Sequence, residues 1–133
     1  MTRGNIDPVM DLNKGFPRSP RAMLGGMIWL PRLIDKARAK LAGALGEYSY
    51  NCPMDVRFFQ FAGLDAETFL KAAADSSNDE AVLAWIRTNA RPATAEEIAR
   101  FNAMLVGLGP DAPDEKTGLK TWCDLIDRDE GRI

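Results

Sequence analysis

The chain has 133 residues, of which 46% are hydrophobic and 27% are charged, and its formal net charge is -2. This balance is typical of one globular domain, and it provides no excess of positive charge to hold nucleic acid or an anionic membrane. No apolar run approaches the roughly 20 residues of a membrane-spanning helix, and the N-terminus lacks the apolar core of a signal peptide, so we expect a cytoplasmic protein.

The chain contains two cysteines and no histidine. Cys52 and Cys123 stand at an unrelated spacing, which predicts neither a disulfide framework nor a zinc site. The lack of histidine removes the commonest general base and the commonest transition-metal ligand. We therefore expect no metal and no cofactor, and any catalysis would depend on carboxylates, Lys, Tyr, Arg or Cys52.

Residues 1–18 are interpreted as an N-terminal arm that packs on the body, and residues 19–133 as a single helical domain. The arm contains glycine and proline near apolar residues, which is typical of an extended segment with turns. Its anchors on the body are predicted to be Ile6, Val9, Leu12 and Phe16.

The stretch from Ser19 to Leu41 is predicted to form a long central helix. Ser19 is a good N-cap, and Pro20 suits the first helical position. Pro31 would kink this helix, or a second helix would begin there. The glycine pair at positions 25 and 26 would mark close packing against a neighbouring helix. One face recurs at spacings of three and four and is expected to be buried: Met23, Met27, Leu30, Ile34, Ala37 and Leu41.

Five further helices are predicted from capping residues and apolar spacing. Gly43 or Gly46 would end the central helix, and the second helix would stop at Gly63. No alternating strand pattern of useful length is found, so the predicted fold is all-α, a compact bundle of about six helices around a central kinked helix. The predicted N-caps are Cys52, Asp65, Ser77 and Thr94, and the last helix is marked by Leu119, Trp122, Leu125 and Ile126.

Three segments carry a resemblance to a known family: PRSPRAMLGGMIWLPRLIDKARA, GEYSYNCPMD and VLAWIRTNARPATAEEIARFN. Together they resemble the bacterial family known as domain of unknown function 5069, over a span from about Asp11 to the C-terminus. The resemblance implies an all-helical domain and supplies no reaction. Relatives often carry His at the position of Ser49 in the Tyr-x-Tyr turn, so any chemistry that needs this His is lost here.

Three charged residues of the central helix are spaced i, i+3 and i+6 and therefore lie in one row: Arg32, Asp35 and Arg38. Arg38 lies close to the apolar face, so we expect it to be paired with a carboxylate: Asp35, Glu47 or Asp55. The row is an ion-pair network that fixes the helix, which is the favoured interpretation, or an anion-binding fork.

Cys52 is the best candidate for chemistry. A thiol at a helix N-terminus meets the positive end of the helix dipole, which favours the thiolate. The neighbouring Tyr48, Tyr50 and Asn51 add hydroxyl and amide groups that could orient a ligand. However, the sequence offers no histidine to assist the thiol, and a capping cysteine also has a plain structural role.

The favoured hypothesis is a non-enzymatic binding module for a small anionic ligand or a protein partner. One alternative is an enzyme that uses Cys52 or a carboxylate, with Tyr48 or Tyr50 as acid. Another is a structural homodimer whose interface is the apolar N-terminal half of the central helix. The candidate site joins the charged row to the turn that follows: Arg18, Arg32, Asp35, Arg38, Tyr48, Tyr50, Asn51, Cys52 and Asp55.

Overall fold

The computed structural model describes residues 10–133 and is predominantly helical, which confirms the predicted all-α class. Six helices follow a short antiparallel hairpin. In chain order the elements are β1 (Met23–Leu24), β2 (Met27–Ile28), α1 (Leu30–Leu41), α2 (Pro53–Ala62), α3 (Ala66–Asp75), α4 (Asp79–Asn89), α5 (Ala95–Gly107) and α6 (Trp122–Asp129).

The prediction of a helix from Ser19 is wrong, because the chain forms a hairpin before α1. Gly25 and Gly26 have φ values of 60° and 80°, the left-handed conformation that a two-residue hairpin turn requires. A Cβ at Gly25 would stand 2.6 Å from Leu83 Cδ1, so the turn packs closely on α4 rather than one helix on another. Since α1 begins at Leu30, Pro31 lies in its first turn and does not kink a helix, and the alternative prediction of a helix that begins at Pro31 is confirmed to within one residue.

The core surrounds α1, whose Leu30, Leu33 and Ile34 are fully buried. This confirms the predicted burial of Leu30 and Ile34. Two other members of the predicted face are exposed, Met23 at 63% and Leu41 at 47%. Met23 lies on the hairpin, where helical periodicity does not apply, and Leu41 is the last residue of α1. The core is completed by side chains of α2 to α5: Phe58, Phe59, Phe69, Val82, Ile86, Phe101 and Leu105.

Most helix boundaries follow the capping residues that the sequence displays. Asp65 Oδ1 accepts a hydrogen bond from the Thr68 backbone N–H at 2.7 Å, and Thr94 forms the predicted capping box with Glu97. Gly63 follows α2 in the left-handed conformation, and Gly43 does the same after α1.

Two helix starts differ from the prediction. The N-cap of α4 is Asn78 rather than Ser77, because the Asn78 amide oxygen accepts the Ala81 N–H at 2.9 Å. In α6 the N-cap is Thr121, so Leu119 precedes this helix.

The segment before the hairpin touches the body through Leu12. Leu12 is buried, and its N–H donates to the Ala44 carbonyl oxygen at 2.8 Å, which confirms this predicted anchor. Phe16 is 54% exposed, so its predicted docking is wrong. Ile6 and Val9 lie outside the described residues.

Candidate ligand-binding site

The carboxylate of Asp55, the third residue of α2, is fully buried and joins three parts of the chain. Asp55 Oδ1 accepts the Trp29 indole N–H at 2.8 Å, and Oδ2 lies 2.8 Å from Lys36 Nζ. The same Oδ2 accepts the backbone N–H groups of Asn51 at 2.9 Å and Cys52 at 3.2 Å. The predicted Cys52–Pro53 start of α2 is therefore confirmed, and its third residue also holds α1.

Trp29 stands immediately before α1 with φ 72°, a conformation that is uncommon for a bulky residue. Such a conformation costs of order 1–3 kcal/mol and persists only where the surroundings fix it. Trp29 is 1% exposed, and besides its indole bond its backbone N–H donates to the Pro20 carbonyl at 3.0 Å. These contacts hold the indole ring beside the first turns of α1.

A cavity of about 520 Å³ lies where α1, the start of α2 and α6 meet, and we call it the Cys52 cavity. One part of its wall is apolar and the other is polar. The apolar part is formed by Trp29, Met54, Leu108, Trp122 and Ile126. The polar part includes Arg32, Lys36, Glu47, Tyr48, Cys52 and Arg57.

The cations Arg32 and Lys36 in this wall are almost completely buried, at 4% and 3% exposure. Arg32 donates two hydrogen bonds to Glu130, at 2.9 and 2.8 Å, while its Nε–H meets no acceptor within residues 10–133. Lys36 Nζ bonds Asp55 and lies 3.4 Å from Cys52 Sγ. The Lys36 ammonium also lies 5.5 Å from the centroid of the Trp29 ring.

Glu130 and Tyr48 hold the guanidinium group of Arg32 in position. Tyr48 OH donates to Glu130 Oε2 at 2.8 Å, and desolvation together with this bond raises the pKa of Tyr48 to about 12. Burial alone would raise the pKa of Glu130, but hydrogen bonds from Arg32, Arg132 and Tyr48 outweigh it and hold that pKa below its usual range. A neighbouring cavity of about 770 Å³ borders the same cluster and also includes Arg32.

The charged row predicted on the central helix is divided between two places. Only Arg32 reaches the Cys52 cavity. Asp35 pairs with Arg18 at 3.0 Å, and Arg18 also bonds Asp79 in the first turn of α4. Arg38 pairs with Asp79 at 3.1 Å, which confirms its predicted pairing with a carboxylate, although Asp79 was not among the predicted partners Asp35, Glu47 and Asp55. This network fastens α1 to α4, a contact between distant segments that local spacing does not encode.

The predicted site residues in and after the turn before α2 also lie in different places. Of the nine predicted site residues, Arg32, Tyr48 and Cys52 line the cavity. Tyr50 OH donates to the Ala66 carbonyl at 2.6 Å, and burial raises the pKa of Tyr50. Asn51 contributes its backbone N–H, and Asp55 supports the wall from within the core.

Sequence reasoning missed several members of the wall. Lys36 follows Arg32 by four residues, and this spacing could have indicated that both lie on one side of α1. Arg57 is likewise one turn beyond Pro53 in α2. Trp122, which the sequence marks only as part of the last helix, is 41% exposed and lines the cavity.

Neither a metal centre nor a membrane span is found in the part of the chain that the structure describes. In residues 10–133 no group of three or more cysteine or carboxylate side chains is placed to hold a metal ion. None of the helices there is both long enough and apolar enough to cross a bilayer.

The protein is thus a small helical domain with a cavity whose wall contains buried cations and a thiol. The model of the family described as Domain of unknown function (DUF5069) matches residues 14–132, and the chain therefore belongs to that family. This confirms the resemblance of the three sequence segments. No curated protein matches the chain.

The Glu130 cluster predicts a pH dependence of stability. The folded state lowers the pKa of Glu130, so its contribution is complete above the unfolded-state pKa of about 4.3 and is lost as pH falls through the folded-state pKa. Glu130→Gln should lower the free energy of unfolding at pH 7 by about 3 kcal/mol, because it leaves Arg32 without its buried counter-ion. The free energies of unfolding of the two proteins should converge as the pH falls below the folded-state pKa.

The measurement is urea unfolding of both proteins at a series of pH values. Glu115→Gln is the matched control, since Glu115 is exposed and should change neither the stability nor its pH dependence. Parallel curves for Glu130→Gln and the wild type would contradict the role given to the Arg32–Glu130 pair.

Proposed function

We propose that the protein is a binding module for a small organic anion that occupies the Cys52 cavity. The observation that carries the proposal is the presence of two buried cations, Arg32 and Lys36, in the wall of a cavity of about 520 Å³. This volume falls within the range of small-molecule sites, about 300–1,000 Å³. Burial strengthens the attraction of both cations for an anion, because the surroundings are less polar than water.

The wall favours an anion with an apolar body. Arg32 and Lys36 are partly neutralised by Glu130 and Asp55, but the Arg32 Nε–H has no acceptor within the described residues and suits a carboxylate or phosphate oxygen. The apolar lining, which includes Trp29, Trp122 and Ile126, suits an aromatic or aliphatic group. A concave site of this size supports a small ligand better than a protein partner.

The site is also rigid before any ligand binds. Asp55 fixes Trp29 and Lys36, and Glu130 fixes Arg32 through two hydrogen bonds. A ligand therefore does not have to order these side chains, which reduces the entropy cost of binding.

An enzyme that uses Cys52 is the second candidate. Its support is the position of Cys52 in the cavity wall, at the N-cap of α2 and 3.4 Å from the Lys36 ammonium. The predicted tyrosine acids support it poorly. Tyr48 OH already donates to Glu130 and Tyr50 OH to Ala66, and both tyrosines have raised pKa values.

The surface that the homodimer hypothesis requires, the apolar N-terminal half of the predicted central helix, is mostly buried within the chain. Ile28, Trp29, Leu30 and Leu33 of the supposed interface are buried within the chain, although Met23 is exposed.

The anion proposal predicts which compounds stabilise the protein. Small monocarboxylates with an apolar body, such as benzoate and its larger analogues, should raise the melting temperature more than the matched neutral alcohols. At 100 times its Kd a ligand adds about 2.7 kcal/mol. Arg57→Gln should lower the affinity for the best-binding carboxylate about tenfold, because Arg57 is the exposed cation of the wall. This factor corresponds to the loss of one charge-assisted hydrogen bond.

Arg87→Gln is the matched control, since Arg87 is an exposed arginine of α4 outside the cavity wall. Its affinity for the same compound should equal that of the wild type in a thermal-shift titration. If alcohols stabilise the protein as much as carboxylates, the cations have no part in binding and the proposal fails.

Alkylation of the two cysteines separates the binding module from the enzyme. Cys52 should react with iodoacetamide faster than Cys123, which is fully buried and whose pKa burial raises. For a binding module, the Cys52 rate should not exceed that of an ordinary accessible thiol, and Cys52→Ser should keep carboxylate affinity within about twofold. The rates come from mass spectrometry at neutral pH, with the isolated amino acid as reference. A rate far above that reference would favour the enzyme.

A further inference from the structure

A second concave surface, which we call the arginine groove, is shared between α2, α5 and the segment between α4 and α5. It has a volume of about 480 Å³, and Arg57 belongs both to it and to the Cys52 cavity. The residues that define it are Arg57, Gln60, Phe61, Arg91, Arg100 and Met104.

The groove carries a local excess of positive charge in a chain whose net charge is -2. The lining contains three arginine guanidinium groups and one carboxylate, that of Glu97. That carboxylate already accepts the Thr94 backbone N–H at 2.9 Å, and its hydrogen bonds with Thr94 lower the pKa of Glu97. Throughout residues 10–133, no carboxylate forms an ion pair with any of the three groove arginines.

One of the arginines is held in position by the protein. Arg91 donates from one terminal nitrogen to the carbonyl oxygens of Gln60 at 3.0 Å and Phe61 at 2.7 Å. Its backbone N–H donates to the Ala62 carbonyl at 2.7 Å. These bonds fasten Arg91 to the last turn of α2, while its other guanidinium N–H groups remain for an acceptor outside.

The floor of the groove is aromatic. The Phe61 and Phe101 rings are stacked with centroids 4.3 Å apart and an interplanar angle of 15°. Phe101 is buried in the core, whereas Met104 beside it is 41% exposed. Apolar surface therefore lies next to the three guanidinium groups, which suits a ligand that is organic as well as anionic.

We propose that the arginine groove is a second ligand site, which takes the phosphate group of a small phosphate-bearing molecule. A guanidinium fork matches two phosphate oxygens at once, and phosphate groups offer more acceptors than a carboxylate. The excess of two positive charges in the lining matches a dianion better than a monocarboxylate. The arginine groove shares only Arg57 with the Cys52 cavity, while Arg91, Arg100 and the aromatic floor belong to the groove alone.

Methionine methyl groups provide the test, since the chain has a methionine at each place that must be compared. Met104 lies in the groove, Met54 in the Cys52 cavity and Met27 in the core. In protein labelled with ¹³C at the methionine methyls, inorganic pyrophosphate should shift the Met104 signal in a saturable manner. The Met27 signal should stay in place, and the shift of Met54 should be smaller than that of Met104.

Variants define the contribution of the arginines. Arg100 is exposed and forms no ion pair within the described residues, so the Arg100→Gln variant should fold. Its affinity for pyrophosphate, measured from the Met104 methyl signal, should be at least fivefold lower than that of the wild type. Arg87→Gln, an exposed arginine of α4, should bind as the wild type does. Sodium chloride at equal ionic strength should leave Met104 unshifted, and succinate should bind more weakly than pyrophosphate.

The proposal is overturned if Met104 does not respond, if it responds equally to chloride, or if Arg100→Gln titrates as the wild type does. Equal affinity for succinate would overturn the assignment to phosphate. A failure of carboxylates to enter the Cys52 cavity would leave the Met104 result unchanged, so the two proposals fail separately.

Discussion

The buried carboxylate of Asp55 is the constraint on which the rest of the site depends. It neutralises the buried Lys36, holds the Trp29 indole and accepts two N–H groups from the turn before α2. Removing one partner of a buried ion pair costs about 3–5 kcal/mol, because the other charge is left without compensation. Asp55 therefore connects the stability of α1 and α2 with the shape of the Cys52 cavity.

Ion pairs position the C-terminal part of the cavity. Arg32 binds Glu130 just beyond α6, and Arg21 binds Asp124 and Asp127 within it. These pairs hold α6 against α1 and against the segment that precedes the hairpin, and α6 in turn supplies Trp122 and Ile126 to the cavity wall. The apolar wall and the buried cation Arg32 are thus positioned by the same contacts.

Local chemistry made much of the fold predictable. Four local features each determine a helix end through their own backbone geometry or hydrogen bonds, and the sequence pattern placed each of them correctly. They are Pro53 after Cys52, Asp65, the Thr94–Glu97 pair and Gly63. The stretch before Leu30 failed because apolar spacing fits a helix there, while the two glycines permit a hairpin turn that periodicity does not reveal. Turn chemistry prevailed over the helical pattern.

The site was less predictable, because its partners are distant in sequence. Cys52, Tyr48 and Arg32 were identified as candidates, and all three line the cavity. The pairing of Arg32 with Glu130 spans 98 residues, so no local spacing indicates it. The same holds for Arg38 and Asp79, which belong to different helices. Local patterns identify which residues carry charge, whereas tertiary packing decides which charges meet.

The most direct measurement is a crystallographic fragment screen with small carboxylates that carry an aromatic or aliphatic group. A carboxylate oxygen should lie within about 3.2 Å of Lys36 Nζ or Arg32 Nε, with the apolar group against Trp122 and Ile126. Carboxylates that bind only elsewhere, or that enter the cavity with their charge directed away from both cations, would contradict the assignment of this cavity to an organic anion.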